Sequence, residues 1–267
     1  MPTDKRERQR AGREARRAQA RAAQKRAQRR RQIISIVALL AVVIGIGLFI
    51  NLSGGDTASD PTATTTTEDE PQAIGTSPCP AADGTSEKKA SFDGPPRPCL
   101  EDGVEYAATV ETDVGSFTID LDRERAPQTV NNFVFLARYH AYDGVPFHRV
   151  IKDFVVQGGD VALKNGSGDA GYKFPDELPD AEDYEEGSVA MANSGPDTNG
   201  SQFYVVVSEA GAQTLVQAAG GEAKYSLFGK VTEGMDVVKK IEADGSVAGT
   251  PTVVHKIVKV TITEQEG

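Results

Sequence analysis

The chain has 267 residues and a formal net charge of −10, a length that allows one sizeable domain or two small ones. Its charge is divided unevenly, because residues 1–31 carry 13 Lys/Arg against three acidic residues while residues 32–267 carry a net −20. This asymmetry excludes a uniformly basic protein and indicates a boundary between two environments.

The basic segment, residues 1–31, consists largely of Arg, Ala and Gln. These are good helix formers, but the segment has no apolar face that could pack against a core. Basic runs can bind nucleic acid. Because a long apolar run follows directly, we instead predict a cytoplasmic segment that contacts anionic lipid headgroups, with no nucleic acid partner.

Residues 32–52, "QIISIVALLAVVIGIGLFINL", are predicted to form a single transmembrane helix. At the helical rise per residue, a run of this length spans about 30 Å, the thickness of the hydrocarbon core. A cleaved secretory signal would have an apolar core of only ~7–15 residues and a small-residue cleavage site. The basic side stays in the cytoplasm by the positive-inside rule. We therefore expect a cell-membrane protein with an extracytoplasmic domain.

Residues 53–78 are rich in Thr, Gly, Pro and acidic residues and are predicted to be a disordered linker. Residues 79–103 follow as a segment that begins at Cys79 and contains Cys99, the two cysteines of the chain. The intervening stretch is rich in turn formers and shows no helix or strand pattern. In an oxidising compartment this pair is expected to form a disulfide, although two free thiols remain an alternative.

The globular domain is predicted over residues 104–264. "APQTVNNFVFLARYH" has helical spacing of apolar residues and a proline in its first turn, and "GMDVVKKIEA" is a second predicted helix. Predicted strands are "EYAATVET", "GSFTIDLD", "FVVQ", "QFYVVVS" and "IVKVTITE". Several strands with few helices favour a mostly antiparallel β architecture, a barrel or a sandwich.

Common cofactor and metal motifs fail in this domain. "GSGDAG", residues 166–171, fits G-x-G-x-x-G, but "YKFPDELPD" follows it where a dinucleotide site needs a helix. We interpret it as a flexible Gly-rich loop. The three histidines are not at metal-ligand spacing, and no G-x-S-x-G sequence is present. We therefore expect neither a metal nor a cofactor.

"FHRVIKDFVVQGGD", residues 147–160, has two interpretations. It could be a buried strand that ends in a Gly-rich turn, or a binding face with one fixed cation, Arg149. Rotation about X-Pro peptide bonds is compatible with the second, because it needs no metal, cofactor or nucleophile. It requires an apolar slot, a clamp on the peptide backbone and a donor to the prolyl nitrogen, a role that suits a guanidinium.

The segments "FHRVIKDFVVQGGD" and "MANSGPDTNGSQFYVV" resemble the two signature segments of cyclophilins, the cyclosporin-type peptidyl-prolyl isomerases. "GYKFPDE" and "LFGKVTEGMDVVKKI" resemble the same family in the same order, so the resemblance covers about residues 104–264. The membrane helix, linker and cysteine pair resemble membrane-anchored bacterial members. The resemblance implies an eight-stranded antiparallel closed β-barrel capped by two α-helices. Its substrate groove lies on the outer face, and its clients are proline-containing polypeptides.

Carried over position by position, the resemblance makes Arg149 the catalytic residue. The implied substrate-binding residues surround it: Phe154, Val155, Gln157, Ala192, Asn193, Ser194, Gln202, Tyr204, Leu215 and Tyr225. Phe154, Val155 and Tyr204 would line the proline pocket. Gln157 would support Arg149, Ala192–Ser194 would clamp the peptide backbone, and Gln202 would lie beside the groove. His148 is expected to be structural.

Several positions depart from the family pattern. Tyr225 stands where many members have His, Val155 where they have Met, and Tyr204 where they have Phe. The chain has no tryptophan, and Leu215 is the candidate for the wall that an indole forms in animal members. We therefore expect weak cyclosporin binding, although the pocket stays apolar and aromatic.

Two other classes of function remain open for this chain. The domain could be a proline-peptide binding module or holdase chaperone with incidental catalysis. Alternatively, the membrane helix and basic segment could act as a scaffold. We take a monomer as the default oligomeric state.

Overall fold

The computed structural model describes residues 73–266. The predicted basic segment, the predicted transmembrane helix and most of the predicted linker therefore lie outside the described residues. Between residues 73 and 266, no helix has the length and apolar character needed to cross a membrane.

The described part contains eight β-strands, three α-helices and one short 3₁₀-helix, Ala181–Asp183. The strands are β1 (Val104–Thr112), β2 (Gly115–Leu121), β3 (Arg149–Ile151), β4 (Val155–Gly158), β5 (Ser188–Met191), β6 (Phe203–Val206), β7 (Leu227–Glu233) and β8 (Ile257–Glu266). The α-helices are α1 (Pro127–Arg138), α2 (Glu209–Ala218) and α3 (Met235–Ala243). All five predicted strands and both predicted helices correspond to elements of this set.

The strands form one antiparallel sheet in the order β3-β4-β6-β5-β7-β2-β1-β8. The predicted eight-stranded antiparallel architecture is confirmed, but the sheet is a curled half-barrel and not a fully closed barrel. Between the edge strands β3 and β8 there is one isolated bridge, Pro146–Lys256, in the segments that precede them. Continuous pairing is absent because the loop after α3 occupies the outer edge of β3: the Val150 N–H donates to the Gly249 carbonyl at 2.8 Å, and the Ser246 N–H donates to the Val150 carbonyl at 3.1 Å.

Helix α2 is an addition to the two predicted helices. Ser208 caps its N-terminus, since the side-chain oxygen accepts a hydrogen bond from the Gly211 N–H at 2.9 Å. Its sequence, "EAGAQTLVQA", includes an internal glycine, which weakens a helix prediction. The Gly211 position has no room for a side chain, because a Cβ there would approach the Phe154 carbonyl oxygen to 2.8 Å.

Alternation along the strands separates two apolar faces of the sheet. On β6, Phe203 and Val205 belong to the main core, whereas Tyr204 and Val206 belong to a second cluster. The main core lies between the sheet and α1, with Phe133 of the helix 5.4 Å from the ring of Phe203. This period-two pattern places the second cluster on the outer face of the sheet.

Helix α1 is buried on all sides from Thr129 to Arg138, although the sequence predicts a single apolar face. The reason is a segment that covers it, residues 73–103, which we call the N-terminal strap. The Asn131 side chain meets this strap, donating to the Arg97 carbonyl at 3.0 Å and accepting from the Cys99 N–H at 2.8 Å. The strap therefore satisfies Asn131, while Asn132 donates to the Gly200 carbonyl and the Thr129 hydroxyl donates to the Glu177 carboxylate.

The strap has no regular secondary structure and is closed by the predicted disulfide, which is confirmed between Cys79 and Cys99. Phe92 is its apolar anchor, with the ring 4.9 Å from that of Phe135 and 5.4 Å from that of Tyr139. The Phe92 N–H also donates to the Ala170 carbonyl at 2.8 Å. The strap is thus packed into the main core and is not a loose extension of the linker.

His255 forms a clasp beside the Pro146–Lys256 bridge. Its Nδ1 lies 3.2 Å from an Asp113 carboxylate oxygen and its Nε2 lies 2.9 Å from one of Asp244. Burial by itself would lower the pKa of His255, but hydrogen bonds and charges from Asp244 and Asp113 outweigh burial and raise the pKa. The imidazolium therefore holds the turn between β1 and β2 to the end of α3.

We expect this clasp to make stability depend on pH. Folding raises the pKa of His255 above its unfolded value of 6.5. Its contribution to the stability of the fold is therefore fully present below pH 6.5 and is lost as the pH rises through the folded pKa. From about pH 6 to about pH 8, the wild-type free energy of unfolding should fall relative to that of His255→Gln, by on the order of 1–2 kcal/mol. Urea unfolding at each pH measures this difference, and parallel pH profiles would contradict the clasp.

Candidate active site

The second apolar cluster, which we call the outer cluster, lies on the outer face of the sheet under α2. Its buried members are Val155, Tyr184, Ala190, Tyr204, Val206, Ala212, Leu215 and Leu227. Its half-buried members are Phe154, Ala192, Val216, Ala223 and Tyr225. An apolar cluster with a half-buried rim is the kind of surface that can receive a ring from a ligand.

The structure brings most of the predicted pocket residues together in this cluster. Phe154, Val155 and Tyr204 are all members, and the Tyr204 ring meets that of Tyr225 edge-on at 5.7 Å. Leu215 is also a member, because α2 carries its side chain onto the cluster, where it is buried. Their roles stay predictions, but their proximity is a property of the fold.

Arg149 stands at the rim of the outer cluster, at the first position of β3. Its guanidinium carbon lies 6.0 Å from the Phe154 ring centroid, and its Nη1 donates to Gln157 Oε1 at 3.1 Å. The antiparallel register explains this contact, because Arg149 and Gln157 are paired across β3 and β4. Burial lowers the pKa of Arg149, against the opposing influence of Tyr225 and Tyr204, but a guanidinium stays charged in proteins.

The hydrogen bonds continue from Gln157 to Gln202. Gln157 Nε2 donates to Gln202 Oε1 at 3.1 Å. Gln202 Nε2 in turn donates to the carbonyl oxygens of Gly166 at 3.0 Å and Gly168 at 2.8 Å. Both glutamines that the sequence predicts for the site therefore belong to one chain of hydrogen bonds that begins at Arg149.

The Gly-rich loop that receives this chain is ordered by Asp160, a residue that the sequence analysis missed. The Asp160 carboxylate accepts four backbone N–H groups of the loop: Leu163 at 2.9 Å, Asn165 at 3.0 Å, Gly166 at 2.7 Å and Gly168 at 3.1 Å. Burial would raise the pKa of Asp160, but these hydrogen bonds lower it to about 2. We call residues 160–168 the support loop.

The first two glycines of "GSGDAG", Gly166 and Gly168, are needed for the close packing of this loop. A Cβ on Gly168 would stand 2.4 Å from Asp160 Oδ1, and Gly166 has φ +95° with its backbone against the His148 ring. The motif is therefore explained by close backbone approach. The signal in the sequence is the acid that follows the glycine pair in "QGGD", but its partners cannot be identified without the folded loop.

The predicted backbone clamp, Ala192–Ser194, lies directly after β5. Its Ala192 N–H donates to the Gln202 carbonyl at 2.9 Å, and its Ser194 N–H donates to Thr198 Oγ1 at 2.8 Å. The Asn193 side chain donates to the Lys224 carbonyl at 2.8 Å. These groups are already engaged within the domain. A peptide held by this segment would therefore bond to its backbone carbonyl oxygens or to the Asn193 backbone N–H.

The outer cluster contains two tyrosine hydroxyl groups that differ in their hydrogen bonding. The Tyr184 hydroxyl donates to the carbonyl of Tyr225, which holds the segment that carries the Tyr225 ring. The Tyr204 hydroxyl is buried and has no hydrogen-bond partner among the described residues. Burial raises the pKa of Tyr204, so it stays protonated. Tyr184 was missed because it lies in a segment without periodicity.

The site as built combines a braced cation with an aromatic, apolar pocket. Within residues 73–266, no group of His, Cys, Asp and Glu side chains is placed to hold a metal ion. The arrangement can therefore bind an apolar ring on an extended chain and direct a charged donor at an atom beside that ring.

Comparison with known proteins identifies relatives of the domain. The family model described as cyclophilin type peptidyl-prolyl cis-trans isomerase/CLD matches residues 107–263. Peptidyl-prolyl cis-trans isomerase CYP18-2 of Arabidopsis thaliana is 38% identical over 154 residues, covering 56% of this chain and 87% of the relative. Peptidyl-prolyl cis-trans isomerase-like 1 of Homo sapiens is 42% identical over 135 residues, covering 49% and 76%.

Solved structures agree with these sequence relatives. A cyclophilin type peptidyl-prolyl cis-trans isomerase of Cryptosporidium parvum superposes with a TM-score of 0.53 at 27% identity, covering 60% of this chain and 99% of that chain. A second structure of that protein, determined in the presence of the dipeptide Ala-Pro, superposes with a TM-score of 0.52 at the same identity.

Proposed function

This chain belongs to the cyclophilin-type peptidyl-prolyl cis-trans isomerases, and from that membership we propose how and where it acts. Its substrates are X-Pro peptide bonds of extracytoplasmic polypeptides. The outer cluster holds the proline ring while Arg149 donates a hydrogen bond to the prolyl nitrogen. The observation that carries this proposal is the Arg149 guanidinium, held by Gln157 at 3.1 Å on the rim of an aromatic pocket.

The chemistry requires weakening of amide resonance. Partial double-bond character imposes a rotation barrier of about 18–20 kcal/mol, and the nitrogen gains a lone pair as the bond twists. A donor that bonds this lone pair stabilises the twisted state more than the planar one, which is the condition for acceleration. Beyond its bond to Gln157, the Arg149 guanidinium makes no other hydrogen bond among the described residues, so its remaining N–H groups can serve the substrate.

The surrounding residues supply binding and orientation. Phe154, Val155 and Tyr204 form the proline pocket, while Leu215 and Tyr225 border it. The Ala192–Ser194 segment holds the flanking peptide, and Gln202 braces Gln157. The structure of the Cryptosporidium parvum relative in the presence of Ala-Pro supports proline-containing peptides as the ligand class.

Cis-to-trans relaxation of a short Ala-Pro peptide tests the proposal with the full-length chain in mild detergent. We expect relaxation to be faster than the uncatalysed process, which takes tens of seconds. A chain that binds the peptide without acceleration would instead favour a proline-peptide binding module or holdase. Binding alone does not require a charged donor at the prolyl nitrogen, which is why the braced Arg149 supports catalysis.

The same proposal places the domain outside the cell membrane. The single-pass helix at residues 32–52, the cytoplasmic basic segment against anionic lipid, and the acidic remainder support this orientation. The Cys79–Cys99 disulfide fits an oxidising compartment. We propose a monomer whose partners are its clients and the membrane.

Cysteine labelling tests this topology in intact bacterial cells that produce the full-length chain. Thr66→Cys, in the linker, should react with a membrane-impermeant maleimide. Gln19→Cys, in the basic segment, should react only after lysis. Labelling of Gln19→Cys in intact cells, or protection of Thr66→Cys, would contradict the proposed orientation.

A further inference from the structure

We propose that Asp160 is a positioning residue for catalysis, because it fixes the support loop whose carbonyl groups set the orientation of the glutamines that hold Arg149. This inference rests on the proposed function of Arg149 and extends the site to a side chain that touches no substrate. The path runs from Asp160 through the support loop to Gln202, Gln157 and Arg149.

The first step is the hold of Asp160 on the loop. Its side chain is fully buried, and its two carboxylate oxygens accept the four loop N–H groups described above. A buried carboxylate is tolerated only when such donors compensate its desolvation. Gly166 and Gly168 are among these donors, so the residues that Asp160 holds are also those whose carbonyls face Gln202.

The second step concerns the polarity of Gln202. A primary amide can place either its oxygen or its NH₂ group at a given position. Two carbonyl oxygens, from Gly166 and Gly168, converge on one end of the Gln202 amide, and only the NH₂ group can bond both. The loop therefore fixes Gln202 with its Oε1 directed at Gln157.

The third step passes this polarity to Arg149. Because Gln157 meets an oxygen of Gln202, it must present its own NH₂ group there, which leaves Gln157 Oε1 directed at the guanidinium. A reversed Gln202 would reverse Gln157, and an NH₂ group would then face the donor-only guanidinium. The loop carbonyls thus decide whether Arg149 has an acceptor.

A purely structural role for Asp160 predicts something different. In that case its loss would destabilise the fold, and any loss of activity would be unrelated to Gln202. If Asp160 acts through the glutamines, its effect on turnover must depend on whether Gln202 is present. A double-mutant cycle separates these possibilities.

The test compares Asp160→Asn with wild type in the full-length chain, measuring kcat and KM for the Ala-Pro peptide. The asparagine keeps the shape but replaces an acceptor oxygen with a donor that faces loop N–H groups. We expect kcat to fall about 10-fold with KM changed less than about 3-fold, because a misplaced catalytic group costs rate more than binding. In a Gln202→Ala background, Asp160→Asn should lower kcat by less than about 2-fold.

Asp169→Asn is the matched control, with the same substitution on a carboxylate just beyond the loop. Asp169 accepts the Gly171 N–H at 2.7 Å and pairs with Lys173, outside the chain of hydrogen bonds to Arg149. Its kcat should stay within about 2-fold of wild type. Unfolding measurements on each variant show whether the protein is folded at the assay temperature.

If Asp160→Asn does not fold, Gly168→Ala carries the same cycle, because its Cβ would push the loop away from the Asp160 carboxylate. An equal loss of kcat with and without Gln202, or wild-type kcat in the folded Asp160 variant, would overturn the inference. Those outcomes leave the proposed function intact, provided wild type accelerates relaxation and Arg149→Ala loses most of that acceleration. Absence of acceleration by wild type would instead reject the proposed function.

Discussion

Replacing Arg149 by alanine is expected to lower kcat/KM for an Ala-Pro peptide by about 10- to 100-fold. A charged hydrogen bond is worth about 1.5–3 kcal/mol, and that amount, lost from the twisted state alone, gives this range. Because the outer cluster is untouched by the substitution, binding of the proline ring should survive in part. The loss should therefore appear mainly in kcat, measured by cis-to-trans relaxation at varied peptide concentration.

Lys152→Ala is the matched control for this experiment. Lys152 is an exposed cation in the turn between β3 and β4, so its removal changes the local charge equally without touching the pocket. Its kcat/KM should stay within about 2-fold of wild type. Near wild-type kcat/KM in folded Arg149→Ala would reject the catalytic assignment and return attention to binding alone.

Replacing Phe92 by alanine should lower the free energy of unfolding by about 3–5 kcal/mol. Phe92 is 6% exposed and packs its ring against Phe135, Tyr139 and Tyr172, so its removal leaves a cavity between the strap and α1. The buried side of α1 depends on this cover. The strap would therefore be part of the folding unit, although it lies outside the residues that match the family model.

Urea unfolding followed by circular dichroism measures this effect, since the chain has no tryptophan for fluorescence. Ile74→Ala is the control within the strap, because Ile74 is 63% exposed and should contribute less than about 0.5 kcal/mol. Equal stability of the Phe92 variant and wild type would show that the strap docks without contributing to the fold.

Much of the fold could be predicted because its signals are local. Alternation along β8 and the spacing of apolar residues in α1 indicate their elements directly. Helix α2 was missed because Gly211 weakens its pattern, and the glycine itself is required by the nearby Phe154 carbonyl. The single bridge that joins the sheet edges is a contact between distant segments, which no local pattern reveals.

The candidate site likewise contains residues that could be predicted from the sequence and a loop whose order could not. Similarity to cyclophilins identified Arg149, Gln157 and Gln202, and the structure shows them joined by hydrogen bonds. The support loop was predicted to be flexible, because a glycine-rich composition does not reveal four N–H groups that converge on Asp160. Such order depends on where the chain returns in space, and that information is absent from composition and spacing.

The disulfide has a mechanical consequence for a domain pulled from its N-terminus. Force applied ahead of Ala73 first loads the bond from the Gly75 N–H to the Pro95 carbonyl, and then reaches Cys79. Once that bond and the bonds from Thr76 to the Asp93 carboxylate break, the covalent bridge transfers tension from Cys79 to Cys99 and on to β1, and residues 80–98 are bypassed. Phe92 and its bond to Ala170, next to the support loop, lie within that unloaded stretch. From that point the hydrogen bonds behind Arg149 are insulated from tension applied at the N-terminus of the domain.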